Sequence, residues 1–520
     1  MKVLFCHPSG LMYTEIYLRL EPLGVELVAQ AALRAGHEVR ILDLQVFSHK
    51  DYFKALDQWC PDVVCFGLNY LPNIPEIIDL AKETKQRLPH SFFFVGGHSA
   101  SFTAQEILEH AQGTIDCVVR GEAEQIEALL SVGVGDRKSI CMLPGVVTRE
   151  GQGPTPQMVD DLDRLTPAHN LVPKRKKYFI GSLDPSASIE FTRGCPWNCN
   201  FCSAWIFYNR TYRKRHVEAI AEELERLEEP NVFVVDDVAF IDPQHGFAIG
   251  QEIEKREIRK QFYVETRADV LLRNKEVFQY WKRLGLAYMF VGMEAIDEEG
   301  LKSFRKGVSL ARSFEALEYA RTLGVVVATN IIADPSWDEE DFRKVREWAL
   351  SVPEVVNVSV NTPYPGTENF LSTGDVLSTR DYRLFDIQHA VLPTTMPLKK
   401  FYEELVKTQQ VLNMKHLGVG VLRDTAGLAM KLLFQGQTNF IRMLFKFNRV
   451  FSAERLLGDH QRPVKYEMRL PGRPTSLSRL PFFSGSGMTK TPVTEIHAVE
   501  NTDGGHGDSF HLLPPQDKRS

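Results

Sequence analysis

Apolar residues in the first 150 positions come in short runs rich in Val, Ile, Leu and Phe, at 3–5, 39–42, 63–66, 92–95 and 117–119, with a weaker run at 146–148. Between them, as over 24–34 and 74–87, apolar positions recur every three or four residues. Short continuous runs read as buried strands, and the wider spacing reads as amphipathic helix. This alternation predicts an α/β domain over 1–150, a doubly wound parallel sheet covered on both faces. Such sheets bind ligands at the carboxyl ends of their strands, where the strand order reverses.

The pattern breaks over 151–185, which is rich in Gly, Pro and charge and reads as a linker. Strand patterns resume at 188–192, 232–235, 262–265, 288–291, 325–332 and 355–360, separated by helical ones at 217–227, 277–284, 314–323 and 339–350. Six such units predict a partial (β/α)6 barrel over 186–383, with chemistry at the strand C-termini. Residues 384–470 read as a helical C-terminal domain. Residues 471–520, rich in Pro, Gly, Ser and charge, are expected to be disordered.

A chain of 520 residues holds roughly two to four domains. Its net charge of −6 gives no reason to expect a nucleic-acid partner. No apolar stretch reaches the ~20 residues that span a bilayer, and the N-terminal run is too short for a signal peptide. A cytoplasmic protein is expected. Five of the eight cysteines (Cys6, Cys60, Cys65, Cys117 and Cys141) are scattered, mostly in or beside apolar runs, and read as reduced core residues.

The other three, Cys195, Cys199 and Cys202, directly follow the strand pattern at 188–192. Their C-x3-C-x2-C spacing lets three thiolates converge on three corners of a [4Fe–4S] cluster and leaves the fourth iron open, unlike four-cysteine clusters. A zinc site completed by His216 is the alternative. Phe201, the aromatic residue before the last cysteine, completes a loop that resembles the signature of the radical S-adenosylmethionine (SAM) superfamily. The resemblance implies that Cys195, Cys199 and Cys202 hold the cluster and that its open iron chelates SAM, releasing a 5′-deoxyadenosyl radical. Further resemblances follow in order at strand ends: Asp236 and Asp237, Glu265 with Arg267, Gly292 with Glu294, and the segment from Pro363 to Thr367. They imply a SAM pocket that includes Phe201, Asp236, Glu265, Arg267, Gly292 and Glu294. Each acidic residue taken alone reads first as an ordinary helix N-cap, and only the set together favours the pocket.

Residues 35–39, Asp43, 67–69, 96–98 and 120–122 resemble the cobalamin-binding domain that precedes many radical SAM domains. The implied contacts are His7, Asn69, Gly96, Gly97, His98, Gly121 and Glu122, with glycines permitting close backbone approach to a bulky ligand. No Asp-x-His-x-x-Gly motif is present, so no histidine ligand to cobalt is implied.

Together these segments resemble class B radical SAM methyltransferases, which use methylcobalamin to methylate an unactivated sp3 carbon. Residues 7–9, 11–14, 17–24 and 43–46 and the C-terminal helical region resemble the subgroup acting on hopanoids at C-3. The implied partners are a hopanoid or other polycyclic lipid and a low-potential electron donor such as flavodoxin or ferredoxin. The segment 426–451 has Lys431, Arg442, Lys446 and Arg449 and no acidic residue among many large apolar ones. It reads either as a peripheral contact with the inner membrane or as a core-packing helix pair with a solvated basic face. Two other functions share the cofactor motifs: an oxidase or cyclase on another lipid, tetrapyrrole or natural product, and a cobalamin or iron–sulfur sensor.

Overall fold

The computed structural model describes residues 1–11, 16–122, 125–132, 136–415 and 419–469. Residues 12–14 of the hopanoid-type stretch and the tail from 471 lie outside them.

The first sheet comprises β1 (Lys2–His7), β2 (Glu38–Asp43), β3 (Val63–Gly67), β4 (Phe92–Gly96), β5 (Cys117–Val119) and β6 (Val146–Val147). Its order is β2-β1-β3-β4-β5-β6. The first five strands are parallel and β6 runs antiparallel to β5. Strand order reverses between β1 and β3, which opens a crevice at their carboxyl ends. Helix α1 (Leu23–Arg34) packs on one face through Val25, Ala29 and Ala32, in a core shared with Val3, Phe5 and Phe94. On the other face Phe66 and Phe93 stack with ring centroids 5.7 Å apart, and helix α2 (His98–Ala111) contributes Ala104, Ile107 and Leu108.

The second sheet comprises β7 (Ser186–Ile189), β8 (Asn231–Val234), β9 (Gln261–Arg267), β10 (Leu286–Gly292), β11 (Val326–Ala333) and β12 (Val355–Val360), adjacent in chain order and all parallel. One set of alternating residues, including Val232, Val264, Met289 and Ile331, packs outward with the apolar faces of the intervening helices. Helix α3 (Val217–Arg226) supplies Ile220 and Leu224, and Trp281 sits fully buried among Phe191, Phe240 and Phe262. Truncating such a buried indole costs about 3–5 kcal/mol. The opposite set, including Phe233, Tyr263 and Tyr288, belongs to a separate cluster.

The C-terminal region departs from the helical expectation at both ends. Helices α4 (Leu398–Lys415), α5 (Val419–Phe434) and α6 (Asn439–Val450) and a short one at Ala453–Asp459 are flanked by irregular chain. Those flanks return to the first domain, where Tyr382, Phe385, Tyr466 and Met468 join the core beneath the helix Ile74–Arg87. Tyr466 donates to Asp79 at 2.6 Å. Apolar periodicity does not distinguish a helix from an irregular segment whose large residues plug a neighbour's core. Among the described residues no helix is long and apolar enough to cross a membrane.

Candidate active site

The three cysteines occupy the loop after β7. Thr192 and Arg193 pair antiparallel with Arg213 and Lys214, which pins the loop's two ends together. Gly194 adopts φ +100°, and a Cβ there would stand 2.3 Å from the Thr211 carbonyl oxygen, so the turn into Cys195 requires glycine. Trp205 Nε1 donates to the Cys199 carbonyl at 2.9 Å, and the Asn200 amide donates to the Ser303 carbonyl at 2.7 Å. Phe201 packs edge-on against Phe304, with centroids 5.5 Å apart.

Cys199 is buried and the other two cysteines are partly so. Burial, with Asp237 nearby, pushes the Cys195 thiol up to about 12. Burial also raises Cys202, with the other two sulfurs adding to the effect. Thiolates here therefore require a compensating cation, as iron provides. Among the described residues, the trios of potential ligands with donor atoms within 4.8 Å of one another are Glu21–Glu26–His169 and Asp161–Asp163–His216. The three thiols form no such trio. A single tetrahedral zinc would draw its sulfurs to about 3.8 Å apart, whereas the corners of a cubane are wider. His216 is exposed and pairs with Asp163 at 2.9 Å, away from the cysteines. The donor set fits a three-thiolate cluster better than zinc.

Beside the thiols stands a tier of charged groups at the ends of β8, β9 and β10. Arg267 donates Nη1 to Cys199 Sγ at 3.6 Å, Nη2 to the Lys306 carbonyl at 2.7 Å and Nε to Asp269 at 2.9 Å. Its guanidinium also lies 4.4 Å from the centroid of the Trp197 ring. Lys306 donates to Glu294 Oε1 at 2.6 Å, and Gly292 keeps that space open. Glu265 faces both Asp237 and Glu294; burial and then these two like charges push its carboxyl up to about 7. Three carboxylates from neighbouring strands thus converge beside the cysteine loop and suit a cationic or hydroxyl-bearing ligand.

Asp236, chosen from the sequence, does a different job. Its carboxylate is buried and accepts from Phe191 N at 2.7 Å, Thr192 N at 3.0 Å and Thr192 Oγ1 at 2.5 Å. It braces the strand leading into the cysteine loop. Asp237 is the solvent-accessible member of the pair and accepts from Gly194 N at 3.0 Å. Strand alternation, which turns adjacent side chains to opposite faces, was the signal that could have separated them. Lys306 and Trp197 were not among the sequence-derived pocket residues, and of the matching pair Asp236–Asp237 the sequence reading chose Asp236. The segment from Pro363 to Thr367 leans on the first domain: Gly366 abuts the Phe102 ring, and Tyr364 packs against the first domain's core.

In the first domain, His7, Asn69, Gly96, Gly97 and Gly121 all lie at or just beyond the carboxyl ends of strands. His7 is buried; its Nδ1 lies 2.9 Å from the Pro8 carbonyl and 3.4 Å from Asp43, and although burial opposes it, Asp43, the Pro8 carbonyl and Glu76 together raise the imidazole's pKa. Asn69 is exposed, and its Oδ1 accepts from His98 N at 3.4 Å. Gly97 has φ +112°, and a Cβ would strike the Leu68 carbonyl at 2.7 Å. Gly121 N donates to Ser101 Oγ at 3.0 Å.

His98 and Glu122 reach into the second domain instead. His98 Nε2 lies 2.6 Å from Ser203 Oγ, and its ring packs on Phe207 with centroids 4.6 Å apart. Glu122 Oε1 accepts from Arg193 at 3.0 Å and Arg213 at 2.6 Å, and Oε2 accepts from Arg213 at 2.8 Å and Val159 N at 2.7 Å. With both oxygens occupied, Glu122 is an interdomain clamp on the cysteine loop, not an open ligand contact. The sequence could not reveal this, because its partners lie 37 to 91 positions away.

Two family models match the chain: one described as the Radical SAM superfamily over residues 189–349, and one as a B12 binding domain over residues 11–130. The chain is 60% identical to the hopanoid C-3 methylase of Methylococcus capsulatus over 475 residues, 91% of this chain and 92% of that protein. It is 25% identical to the anaerobic magnesium-protoporphyrin IX monomethyl ester cyclase of Rubrivivax gelatinosus, covering 74% and 72% of the two chains. Among solved structures, the cobalamin-dependent SAM radical enzyme OxsB, with aqua-cobalamin and SAM bound, shares the fold at TM-score 0.64 and 13% identity, over 88% of this chain and 80% of that one. The radical SAM methyltransferase TsrM from Kitasatospora setae aligns at TM-score 0.56 and 17% identity, over 72% and 76%.

Proposed function

The chain belongs to the cobalamin-dependent radical SAM methyltransferases, and on that premise we propose that it methylates a hopanoid at C-3. The observation that carries methyl transfer is the joint between the two cofactor-bearing halves: His98, the first residue of α2, touches Ser203, the residue after Cys202. The substrate follows from 60% identity to a hopanoid C-3 methylase across nearly the whole chain, C-terminal region included.

Loaded, the [4Fe–4S] cluster and SAM supply a 5′-deoxyadenosyl radical able to take hydrogen from a carbon with no acidic proton, and cobalamin supplies the methyl group. In this reading Cys195, Cys199 and Cys202 hold the cluster, and Arg267 fixes the position of Cys199. Asp237, Glu265 and Glu294 receive the ammonium and hydroxyl groups of SAM, with Phe201 and Gly292 shaping the pocket. His7, Asn69, Gly96, Gly97 and Gly121 line the cobalamin crevice, and His98 sets its distance from the cysteine loop. The cluster requires electrons from a low-potential donor such as flavodoxin or ferredoxin.

The hairpin α5–α6 is assigned to peripheral contact with the inner membrane. Met430, Leu433 and Phe434 are exposed near its tip, and the segment 426–451 carries only positive charges. Flotation with anionic liposomes tests this; enzyme left in the bottom fraction overturns it. The methylation itself is tested by expressing the chain in a host that makes hopanoids. Hopanoids heavier by one CH2 unit, absent with Cys199→Ala, are expected. Unchanged hopanoids, or a cyclised product without the added carbon, overturn the reading.

A further inference from the structure

The turn of the hairpin α5–α6 rests on the linker between the two domains, at Lys174-Arg175-Lys176-Lys177. The Gln437 side-chain amide donates to the Lys176 carbonyl at 3.1 Å and to Asp184 Oδ1 at 3.0 Å. Asn439 Nδ2, at the start of α6, donates to the same Asp184 oxygen at 3.1 Å. At the other end of α6, Val450 and Phe451 pack with Ile16 and Tyr17. Two residues further along that segment, Arg19 Nη1 donates to the Lys177 carbonyl at 3.2 Å. Hairpin, linker and the segment 16–19 therefore form one continuous surface.

Cations dominate that surface. Lys176, Lys431 and Arg442 are exposed, and Arg19, Lys177 and Lys446 are half-buried. Lys174 is turned to the first domain, where it donates to the Val46 carbonyl at 3.2 Å, and Arg175 is held by Glu21 and Glu229. Lys176 and Lys177, by contrast, donate no side-chain hydrogen bond to a described residue. The carboxylates that touch the segment are buried and engaged: Glu21 and Glu229 by Arg175, and Asp184 by Gln437 and Asn439. Over the whole chain Asp and Glu outnumber Lys and Arg, 67 against 61, so composition does not account for this local excess. In the same hairpin Met430, Leu433 and Phe434 face solvent, Phe434 with 85% of its surface. An apolar tip flanked by cations suits an anionic bilayer, whose acyl boundary takes the apolar side chains and whose phosphates face the ammonium groups.

We propose that the interdomain linker and the hairpin form one binding face for anionic phospholipid, in which Lys176 and Lys177, with Arg19 beside them, take headgroup phosphates while Met430, Leu433 and Phe434 enter the bilayer. The assignment rests on the peripheral-contact reading above and deepens it by naming the lipid class and the residues that select it. The contact thereby becomes dependent on lipid charge and on salt, which an apolar tip alone would not be.

The test is flotation of the reconstituted holoenzyme with vesicles of phosphatidylcholine alone and of phosphatidylcholine with an equal part of phosphatidylglycerol. Wild type is expected to bind the anionic vesicles far more tightly and to lose that preference as salt is raised. The double variant Lys176→Gln/Lys177→Gln is expected to bind them about 30-fold more weakly, at roughly a fivefold loss for each cation removed from the surface. Its binding to phosphatidylcholine alone should not change, whereas Phe434→Ser should weaken binding to both. Iron content equal to wild type verifies that the variants fold. Lys399→Gln/Lys407→Gln on α4, which removes the same charge from other exposed positions, is expected to change nothing. A linker variant that binds anionic vesicles as wild type does, or an α4 variant that loses as much, overturns the headgroup assignment while leaving the hairpin's membrane contact intact. A wild-type enzyme that floats with neither vesicle removes the premise itself.

Discussion

His98 Nε2 and Ser203 Oγ are 2.6 Å apart, although 105 positions separate the two residues. Burial holds the His98 imidazole down to about 4, so the ring is neutral at physiological pH and acts as a fixed strut. His98→Ala should leave cluster assembly intact but loosen the spacing between the two cofactor-bearing loops. Misplacement on the order of 1 Å costs up to about 100-fold in a positioned reaction. Methylated product should therefore fall more than 5′-deoxyadenosine does, raising the ratio of 5′-deoxyadenosine to product. An equal fall in both would refute a positioning role.

The neighbouring aspartates should separate cleanly. Asp236→Ala removes the acceptor for Phe191 N, Thr192 N and Thr192 Oγ1 in a buried site and should cost about 3 kcal/mol of stability. Asp237→Asn should leave the denaturation midpoint nearly unchanged while weakening SAM binding, measured by equilibrium dialysis. The reverse ranking would return the pocket role to Asp236.

Glu122→Gln weakens a buried pairing to Arg193 and Arg213 at the base of the cysteine loop. Breaking such a pair costs about 3 kcal/mol. Both a lower urea midpoint and slower iron loading are expected. If Glu122 instead served the corrin, cobalamin affinity would drop with no change in the urea midpoint.

His169 lies 2.8 Å from Glu26, 3.1 Å from Glu21 and 3.1 Å from Glu223, tying α1, the linker and α3 together. Although burial opposes it, these carboxylates raise the imidazole pKa from 6.5 to about 12. The folded state therefore binds more protons than the unfolded state between these values, so stability falls as pH rises. The contribution is complete below about 6.5 and drains away toward about 12. His169→Gln should destabilise by about 3 kcal/mol at pH 6.5 and flatten the decline between pH 7 and 9 in urea titrations. A wild-type midpoint that rises over that range would contradict the assignment.

Much of the site was legible because it is local. Cys195, Cys199 and Cys202 fall within eight positions and lie on one loop, so spacing alone places them together. Glu265, Arg267, Gly292 and Glu294 could be located because a parallel α/β sheet puts strand ends on one edge. Asp236 and Glu122 were misjudged because their roles depend on which partners occupy their oxygens. Lys306 escaped notice because nothing in its neighbourhood marks a lysine that folds back onto Glu294.

The order of residues determined the two α/β layouts and the three-thiol loop, since hydrophobic period and cysteine spacing act over a few positions. Only the folded chain decided which carboxylates face the cysteines and which brace the backbone. It alone decided that His98 and Glu122 bridge the domains. Those outcomes come from pairings across tens to hundreds of positions, where the geometry of packing, and not local periodicity, selects the partner.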